Sequence, residues 1–263
     1  MYSQYKSVIV TIEDNVATVA INRPEMGNAF SEELYAEYPE VMARLSDDDN
    51  VRAVVVTGKG KFFCAGGDIV NMKQKLDAGE YGTYTDVTKA CLLGTATKRC
   101  LKPVIAMVNG AAAGGGAGLA LSCDFRVMTP KSQIKMAFIG LGFPGDTGSA
   151  YFMTKLVGAG KALEMMMLGE PLYGEEAARL NVARLAPEGQ LEEETYKFAR
   201  RLAQGPTQGY KWQKKLFLDV IYGDLTKSMD LESAGMAACA RSADYREAVN
   251  AFLEKRRPVF TGK

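Results

Sequence analysis

Two short apolar segments of this chain are each followed by a glycine-rich loop and then by a helical pattern. Residues 53–57 (AVVVT) precede the loop CAGGD at residues 64–68, and residues 104–108 (VIAMV) precede the loop NGAAAGGG at residues 109–116. Short apolar strands separated by amphipathic helices indicate parallel strands with helical crossovers. The repeated pattern therefore predicts an α/β fold.

The two ends of the chain have different patterns. Residues 8–12 and 16–21 alternate as in a β-hairpin, and Ser31 precedes a helix with an apolar stripe every three to four residues. From about residue 191 onward the pattern is almost wholly helical and ends in a charged helix at residues 244–256. Such a helix cannot bury its apolar stripe alone, so we expect it to pack on the core or on another subunit.

Composition excludes several classes of partner. The chain has 263 residues with 47% hydrophobic residues and a net charge of +1, which predicts a packed core and no general affinity for nucleic acid. Residues 104–123 carry no charge, but their five glycines bring too little transfer energy for a membrane helix. The five cysteines are scattered without CxxC spacing or a signal peptide. They predict free thiols and a cytoplasmic location.

The chain contains no histidine. This absence rules out histidine-based triads, histidine-liganded metals and imidazole general bases. A carboxylate, lysine, tyrosine or cysteine must move any proton near neutral pH. We expect no metal ion.

The glycine-rich loops fit a backbone oxyanion hole. Without side-chain bulk at a strand-to-helix junction, backbone N–H groups can approach a ligand, and two of them can stabilise a thioester enolate. The alternative is that the glycines only permit tight turns. No GxxxxGK[ST] pattern occurs, and the glycines of the second loop, at 110, 114, 115, 116 and 118, do not satisfy GxGxxG in any register. The loops therefore do not fit a phosphate loop or a dinucleotide-binding loop.

The sequence resembles the crotonase, or enoyl-CoA hydratase/isomerase, superfamily along essentially its whole length. The resemblance rests on NRPEMGNAF, FFCAGGDI, KPVIAMVNGAAAGGGAGLALSCDFRV and the tail SADYREAVNAFLEKRRPVFTGK. It implies a crotonase-like spiral of ββα units over residues 1–190 and a helical trimerisation region over residues 191–263. It also implies a homotrimer or a dimer of trimers. The ligand would be an acyl-CoA thioester, with coenzyme A as part of the substrate and no separate cofactor.

The resemblance also assigns site residues. It places the oxyanion-hole amides on Gly67 and Gly115. Residues that would hold coenzyme A are Met26, Ala65, Gly66, Asp68 and Ile69, with Phe252 and Lys255 of the tail approaching the nucleotide, often from a neighbouring subunit.

The chain departs from the family's hydratases at both catalytic glutamates, which fall on Gly118 and Phe138. Asp146 instead matches the catalytic aspartate of ring-type enoyl-CoA isomerases of phenylacetate degradation. An aspartate before the predicted helix at residues 149–157 is also a routine helix cap, so two interpretations remain. The apolar residues Phe138, Ile139, Leu141 and Phe143 favour a catalytic carboxylate in a pocket.

These features favour an enoyl-CoA isomerase. Gly67 and Gly115 would hold the thioester oxygen while Asp146, its pKa raised in an apolar pocket, moves a proton between the γ and α carbons through a dienolate. Hydration, or another lyase or hydrolytic reaction on a CoA thioester, is the enzymatic alternative. A CoA-binding protein without catalysis is the alternative from another class, since fold alone does not set function.

Overall fold

The computed structural model describes residues 2–263. The strands are β1 (Val8–Glu13), β2 (Val16–Ile21), β3 (Ala53–Gly58), β4 (Val104–Val108), β5 (Ala111–Ala113), β6 (Phe125–Met128), β7 (Gln133–Lys135), β8 (Pro171–Tyr173) and β9 (Arg184–Leu185). The helices are α1 (Glu32–Asp47), α2 (Ile69–Asp77), α3 (Tyr84–Arg99), α4 (Gly115–Ser122), α5 (Ser149–Val157), α6 (Ala159–Leu168), α7 (Gly174–Arg179), α8 (Leu191–Ala203), α9 (Thr207–Val220), α10 (Leu225–Cys239) and α11 (Ala243–Leu253). Short 3-10 helices span Pro24–Met26 and Ile139–Leu141.

The strands form two sheets, and successive turns of the chain contribute strands to both. The larger sheet has the order β1-β2-β3-β4-β6-β9 and is parallel from β2 onward, while the smaller has the order β5-β7-β8. The chain runs from β4 to β5 to α4 and then from β6 to β7 to α5. Each turn thus adds one strand to each sheet before a helix returns, as the predicted ββα spiral requires. The predicted α/β class is confirmed.

Both faces of the larger sheet are covered. Alternate residues such as Val54 and Val56 face the main core, whereas Val55, Ile105 and Met107 face a second core. Helix α8 closes this second core with Ala199 and Ala203. Apolar side chains on both faces explain why β3 and β4 are continuous apolar runs in the sequence.

The predicted hairpin and first helix are confirmed. Asp14 and Asn15 form the two-residue turn between β1 and β2 with positive φ angles of 49° and 61°, which aspartate and asparagine tolerate. Ser31 caps α1 by accepting from the Leu34 amide at 3.2 Å. Helix α1 continues through Pro39.

The helical tail packs on the core of this chain. Helix α10 lies against α3, and α11 lies against α2 and the 3-10 helix at Ile139–Leu141. The last helix ends at Leu253, three residues before the predicted end, because Lys255 adopts a left-handed φ of 54° and the Arg256 amide bonds back to the Ala251 carbonyl at 3.0 Å. The division at residue 190 stays a prediction.

The uncharged stretch at residues 104–123 divides into β4, β5 and α4. Across residues 2–263 no helix combines the length and the apolar character needed to cross a membrane. Gly110 and Gly114 turn the chain between these elements, whereas Gly115, Gly116 and Gly118 lie within α4.

The buried side chain of Asn28 fixes the approach to the first glycine-rich loop. Its Nδ2 donates to the carbonyls of Lys59 and Phe62 at 2.9 and 2.7 Å, and its Oδ1 accepts from the Arg23 amide at 3.0 Å. Asn28 also has a φ of 58°, a conformation that asparagine adopts more readily than alanine. One side chain therefore satisfies three backbone groups of two loops.

We expect Asn28→Ala to lower the free energy of unfolding by about 2–4 kcal/mol, because two carbonyls and one amide lose their partner. Urea denaturation followed by circular dichroism measures the change. Asn50→Ala, at an exposed loop residue, is the control and should change stability by less than about 0.5 kcal/mol. Equal stability of the two variants would contradict the assigned role.

Candidate active site

The two glycine-rich loops lie side by side because they belong to consecutive turns of the spiral. Cys64 pairs with Ala112 in a parallel bridge, and the Ala113 amide donates to the Cys64 carbonyl at 2.9 Å. A Cβ atom on Gly66 would lie 2.6 Å from the Ala113 oxygen and 2.9 Å from the Gly115 nitrogen. Any larger residue at position 66 would force the loops apart.

The amides of Gly67 and Gly115 donate no hydrogen bond within residues 2–263. Gly115 is the first residue of α4, where the helix dipole places positive potential. Gly67 lies one residue after Gly66 and lines the adjacent cleft. Both amides are thus available to a ligand, and their convergence on one oxygen stays a prediction.

The cleft beside these loops has a volume of about 360 Å³ and lies between α1, α2 and α3 on one side and the helical tail on the other. Its apolar wall comes from all of these elements. The wall residues are Phe30, Tyr35, Met72, Val87, Ala90, Phe143, Met236, Ala240 and Tyr245. Phe143 stacks on Tyr245 with ring centroids 4.4 Å apart, which attaches α11 to the site. Such a cleft can hold an apolar acyl group.

Asp146 opens onto this cleft next to the second glycine-rich loop. A Cβ atom on Gly115 would lie 3.1 Å from Asp146 Oδ1, and the Thr147 hydroxyl donates to that same oxygen at 2.8 Å. Asp146 Oδ2 has no hydrogen-bond partner in the part of the chain that the structure describes. Helix α5 begins after Gly148, and no side chain of its own segment caps it. The helix-cap interpretation of Asp146 is therefore wrong.

The surroundings of Asp146 change its acidity. Burial raises the pKa of Asp146 to about 6, and the hydrogen bond from Thr147 opposes this shift. The cause is desolvation of the carboxylate, which disfavours its charged form. A carboxyl group with such a pKa can both accept and return a proton near neutral pH.

The apolar environment of Asp146 differs in part from the predicted one. Phe138 and Phe143 are buried, but Leu141 is half-buried and Ile139 is 40% exposed. Ile139 is the first residue of a 3-10 helix that has no fully buried residue. Phe30 supplies apolar surface instead, since its ring lies 2.5 Å from the Cβ position of Gly115.

Thr147 holds the Asp146 turn in a constrained conformation. It is fully buried and has a φ of 57°, which is unfavourable for a β-branched residue. Glycines make room for it: Cβ atoms on Gly94 and Gly118 would lie 2.6 Å from the Thr147 oxygen and 2.8 Å from its Cβ. Gly118, where a hydratase glutamate would fall, is therefore packed against the turn that carries Asp146.

The residues predicted to hold coenzyme A surround the first loop. The Ala65 amide donates to the Gly27 carbonyl at 3.0 Å, which brings the 3-10 helix ending at Met26 beside the exposed Ala65. Gly66 is buried at the loop contact, and Ile69 starts α2.

Asp68 lines the cleft, but its carboxylate is already engaged. It accepts from the Val70 and Asn71 amides and pairs with Arg23 at 2.8 Å. Phe252 and Lys255 are exposed at the end of α11 and lie outside the cleft lining. Their contact with a nucleotide stays a prediction.

Sequence reasoning missed Thr147 and Glu232. Glu232 lies on α10, is 8% exposed, and accepts from the Gly148 amide at 2.8 Å. The spacing of residues in the sequence could have identified Glu232, because it lies on the buried stripe of α10 that includes Leu225, Met229 and Met236. A carboxylate in such a stripe needs a partner inside the protein.

Comparison with known proteins shows the family of this chain. The family model described as enoyl-CoA hydratase/isomerase matches residues 11–263. The chain belongs to the enoyl-CoA hydratase/isomerase family. Its predicted membership and crotonase-like fold are thereby confirmed.

Relatives in the enoyl-CoA hydratase/isomerase family carry different activities in their names. The chain is 34% identical to the 1,2-epoxyphenylacetyl-CoA isomerase of Escherichia coli, with 97% of this chain and 98% of the relative covered. It is 30% identical to the trans-2-decenoyl-[acyl-carrier-protein] isomerase of Streptococcus mutans, covering 98% and 99%. The crystal structure of an enoyl-CoA hydratase from Mycobacterium avium subsp. paratuberculosis K-10 superposes with a TM-score of 0.87 at 27% identity, covering 97% and 99%.

Within this family fold, we expect Gly118→Ala to lower the free energy of unfolding by about 1–3 kcal/mol, because its methyl group would press on Thr147. The displaced turn should also lower turnover. Gly140→Ala is the matched control, since open space surrounds that position. Thermal melts of both variants measure the difference, and an unchanged Gly118→Ala protein would show that the turn is not tightly packed.

Proposed function

We propose that this chain shifts the C=C double bond of an enoyl-CoA and that Asp146 is the acid/base that moves the proton. The placement of Asp146 carries the proposal. Its carboxylate opens beside Gly115 onto a cleft that has an apolar wall and a charged rim, and burial raises its pKa to about 6. A double-bond shift needs one group that removes a proton and returns it, and one carboxylate suffices.

The reaction uses two backbone amides and one side chain. The thioester oxygen accepts hydrogen bonds from Gly67 and Gly115, and Asp146 removes a proton from the γ carbon of a 2-enoyl group. The C–H electron pair forms a new double bond while the older one moves toward the thioester, so that negative charge develops on the oxygen. The amides stabilise this dienolate. Asp146 then returns the proton to the α carbon, and the reverse reaction uses the same steps.

Packing at the two hydratase positions favours isomerisation over hydration. Gly118 faces Thr147 with no room for a glutamate, and Phe138 is buried. Hydration requires a carboxylate that positions and activates water in addition to the oxyanion amides. Relatives are named both as isomerases and as hydratases, so the preference rests on this packing.

The surface around the first loop supports coenzyme A binding by Met26, Ala65, Gly66, Asp68 and Ile69. Ala65 offers exposed backbone, and Asp68 shapes the loop through its cap and its pair with Arg23. Phe252 and Lys255 are exposed and free to reach a nucleotide on the same or a neighbouring subunit. All five cysteines are free thiols, which supports a cytoplasmic location.

We expect the wild type to convert a 3-enoyl-CoA to the conjugated 2-enoyl-CoA and Asp146→Asn to lose about 10²–10⁴-fold in kcat, because the amide cannot accept the proton. Absorbance of the conjugated thioester follows the reaction. Asp14→Asn, in the exposed turn of the hairpin, is the control with the same chemical change. Equal activity of Asp146→Asn and wild type would refute the assignment.

Two other results would contradict the proposed reaction. Addition of water to crotonyl-CoA, seen as loss of the conjugated absorbance, without isomerisation would identify a hydratase. Binding of coenzyme A thioesters with no turnover over a panel of acyl groups would identify a binding protein.

An exposed apolar face supports assembly as a homotrimer or a dimer of trimers. Helix α9 exposes Trp212, Leu216, Phe217 and Val220, and none of its residues is buried in the chain itself. A continuous apolar face of this kind marks an interaction surface.

We expect sedimentation to show three or six chains and Leu216→Asp to dissociate them. Gln190→Asp, with the same charge at an exposed residue before α8, should not, and a monomeric wild type would contradict the assembly.

A further inference from the structure

Helix α10 brings a second carboxylate to the Asp146 turn. Glu232 Oε2 accepts from the Gly148 amide at 2.8 Å, at the start of α5, where no local side chain caps the helix. A glutamate from a distant helix thus accepts from the amide of the N-cap residue itself, as the N3 glutamate does in a capping box. The residue it holds lies two positions after Asp146.

Helix α10 is closely fitted to this turn on both sides of Glu232. A Cβ atom on Gly148 would lie 2.9 Å from the Met229 methyl, and one on Gly235 would lie 3.0 Å from Pro144. Met229, Glu232 and Gly235 are three residues apart and share a face of the helix. The contact spans the turn from Pro144 to Gly148, with Asp146 at its centre.

The buried position of Glu232 is electrostatically unfavourable for its charged form. Its Oε1 is buried without a hydrogen-bond partner within residues 2–263, as is Ser149 Oγ at the first residue of α5. An unpaired buried carboxylate oxygen is unfavourable. Burial and the charge of Asp146 raise the pKa of Glu232 to about 7, while the amides at the start of α5 oppose the shift.

Charged side chains such as Arg23, Glu32 and Asp86 line the same cleft as Asp146. The thiols and the phenol that interact with the two carboxyls stay neutral near pH 7. Cys91 of α3 faces both of them, and burial raises the pKa of its thiol to about 12. Cys64 and Tyr35 interact with Asp146, and burial raises the pKa of each far above neutrality. Among the described residues, Asp146 and Glu232 are therefore the groups here that change charge between pH 5 and 8.

We propose that Glu232 is a positioning residue for Asp146. Glu232 holds the turn that carries Asp146 through the Gly148 amide, and its negative charge makes Asp146 a stronger base. The interaction is reciprocal: if ionised Asp146 makes Glu232 hold its proton more tightly, ionised Glu232 does the same for Asp146. The reactive carboxylate becomes a stronger base when Glu232 loses its proton. This inference rests on the proposed function, in which Asp146 moves the proton.

The pH profile of isomerisation tests the charge of Glu232. We expect kcat of the wild type to rise in two steps, near the pH values at which Asp146 and then Glu232 ionise. Glu232→Gln keeps an acceptor for the Gly148 amide, so KM should change by less than about twofold, but the upper step should disappear and the limiting kcat should fall about threefold. Asp230→Asn on the exposed side of α10 is the control and should keep both steps. A two-step profile in Glu232→Gln would overturn the proposal.

A second variant tests the hydrogen bond. Glu232→Ala removes the acceptor, and we expect kcat to fall about tenfold, with Glu232→Gln restoring part of the loss. Equal kcat in the alanine and glutamine variants would refute the positioning role. If the alanine variant does not fold, Glu232→Met, which keeps the side-chain length but offers the amide no oxygen acceptor, replaces it in this comparison.

A measurement without substrate separates this inference from the proposed function. Infrared difference spectra of the carboxyl stretch report the titration of Glu232, and Asp146→Asn should shift that titration to lower pH because a neighbouring negative charge is lost. An unchanged titration would refute the coupling of the two carboxyls. Absence of isomerase activity in the wild type, with the shift present, would refute the proposed reaction and leave the coupling standing.

Discussion

Close backbone contact at glycine is the constraint on which the site depends. Gly66 lets the first loop approach the Gly115 nitrogen, and Gly94 and Gly118 leave the space that Thr147 fills. Three consecutive parts of the spiral therefore meet with almost no side-chain volume between them. Two free amides and one carboxylate share a small region because of this contact.

The same contact leaves no room for a glutamate at position 118. A glutamate at position 118 and a buried threonine at 147 would occupy the same space, so the two arrangements exclude each other. Thr147 in turn holds Asp146 with its hydroxyl and keeps an unfavourable backbone conformation that the surrounding glycines permit. The absence of a carboxylate at position 118 and the placement of Asp146 thus have one steric cause.

Burying Asp146 and Glu232 costs stability and alters acid–base behaviour. Raising the pKa of Asp146 from its ordinary value of 3.8 to about 6 corresponds to roughly 3 kcal/mol against its charged form at neutral pH. The protein offsets this cost through packing in the rest of the core. The raised pKa gives the Asp146 carboxylate a proton affinity that suits transfer to and from carbon.

The sequence by itself determined the hairpin, the stripe of α1, the parallel strands β3 and β4, and membership of the family, because each depends on local periodicity or on a contiguous motif. It also drew attention to Asp146, but it left the cap interpretation open and placed Ile139 in the pocket. Only the tertiary structure decided these points, since helix α5 starts after Gly148 and Ile139 faces solvent. Glu232 came from a helix 86 residues further along the chain than Asp146, and such a contact is set by how helices pack, which no local pattern records.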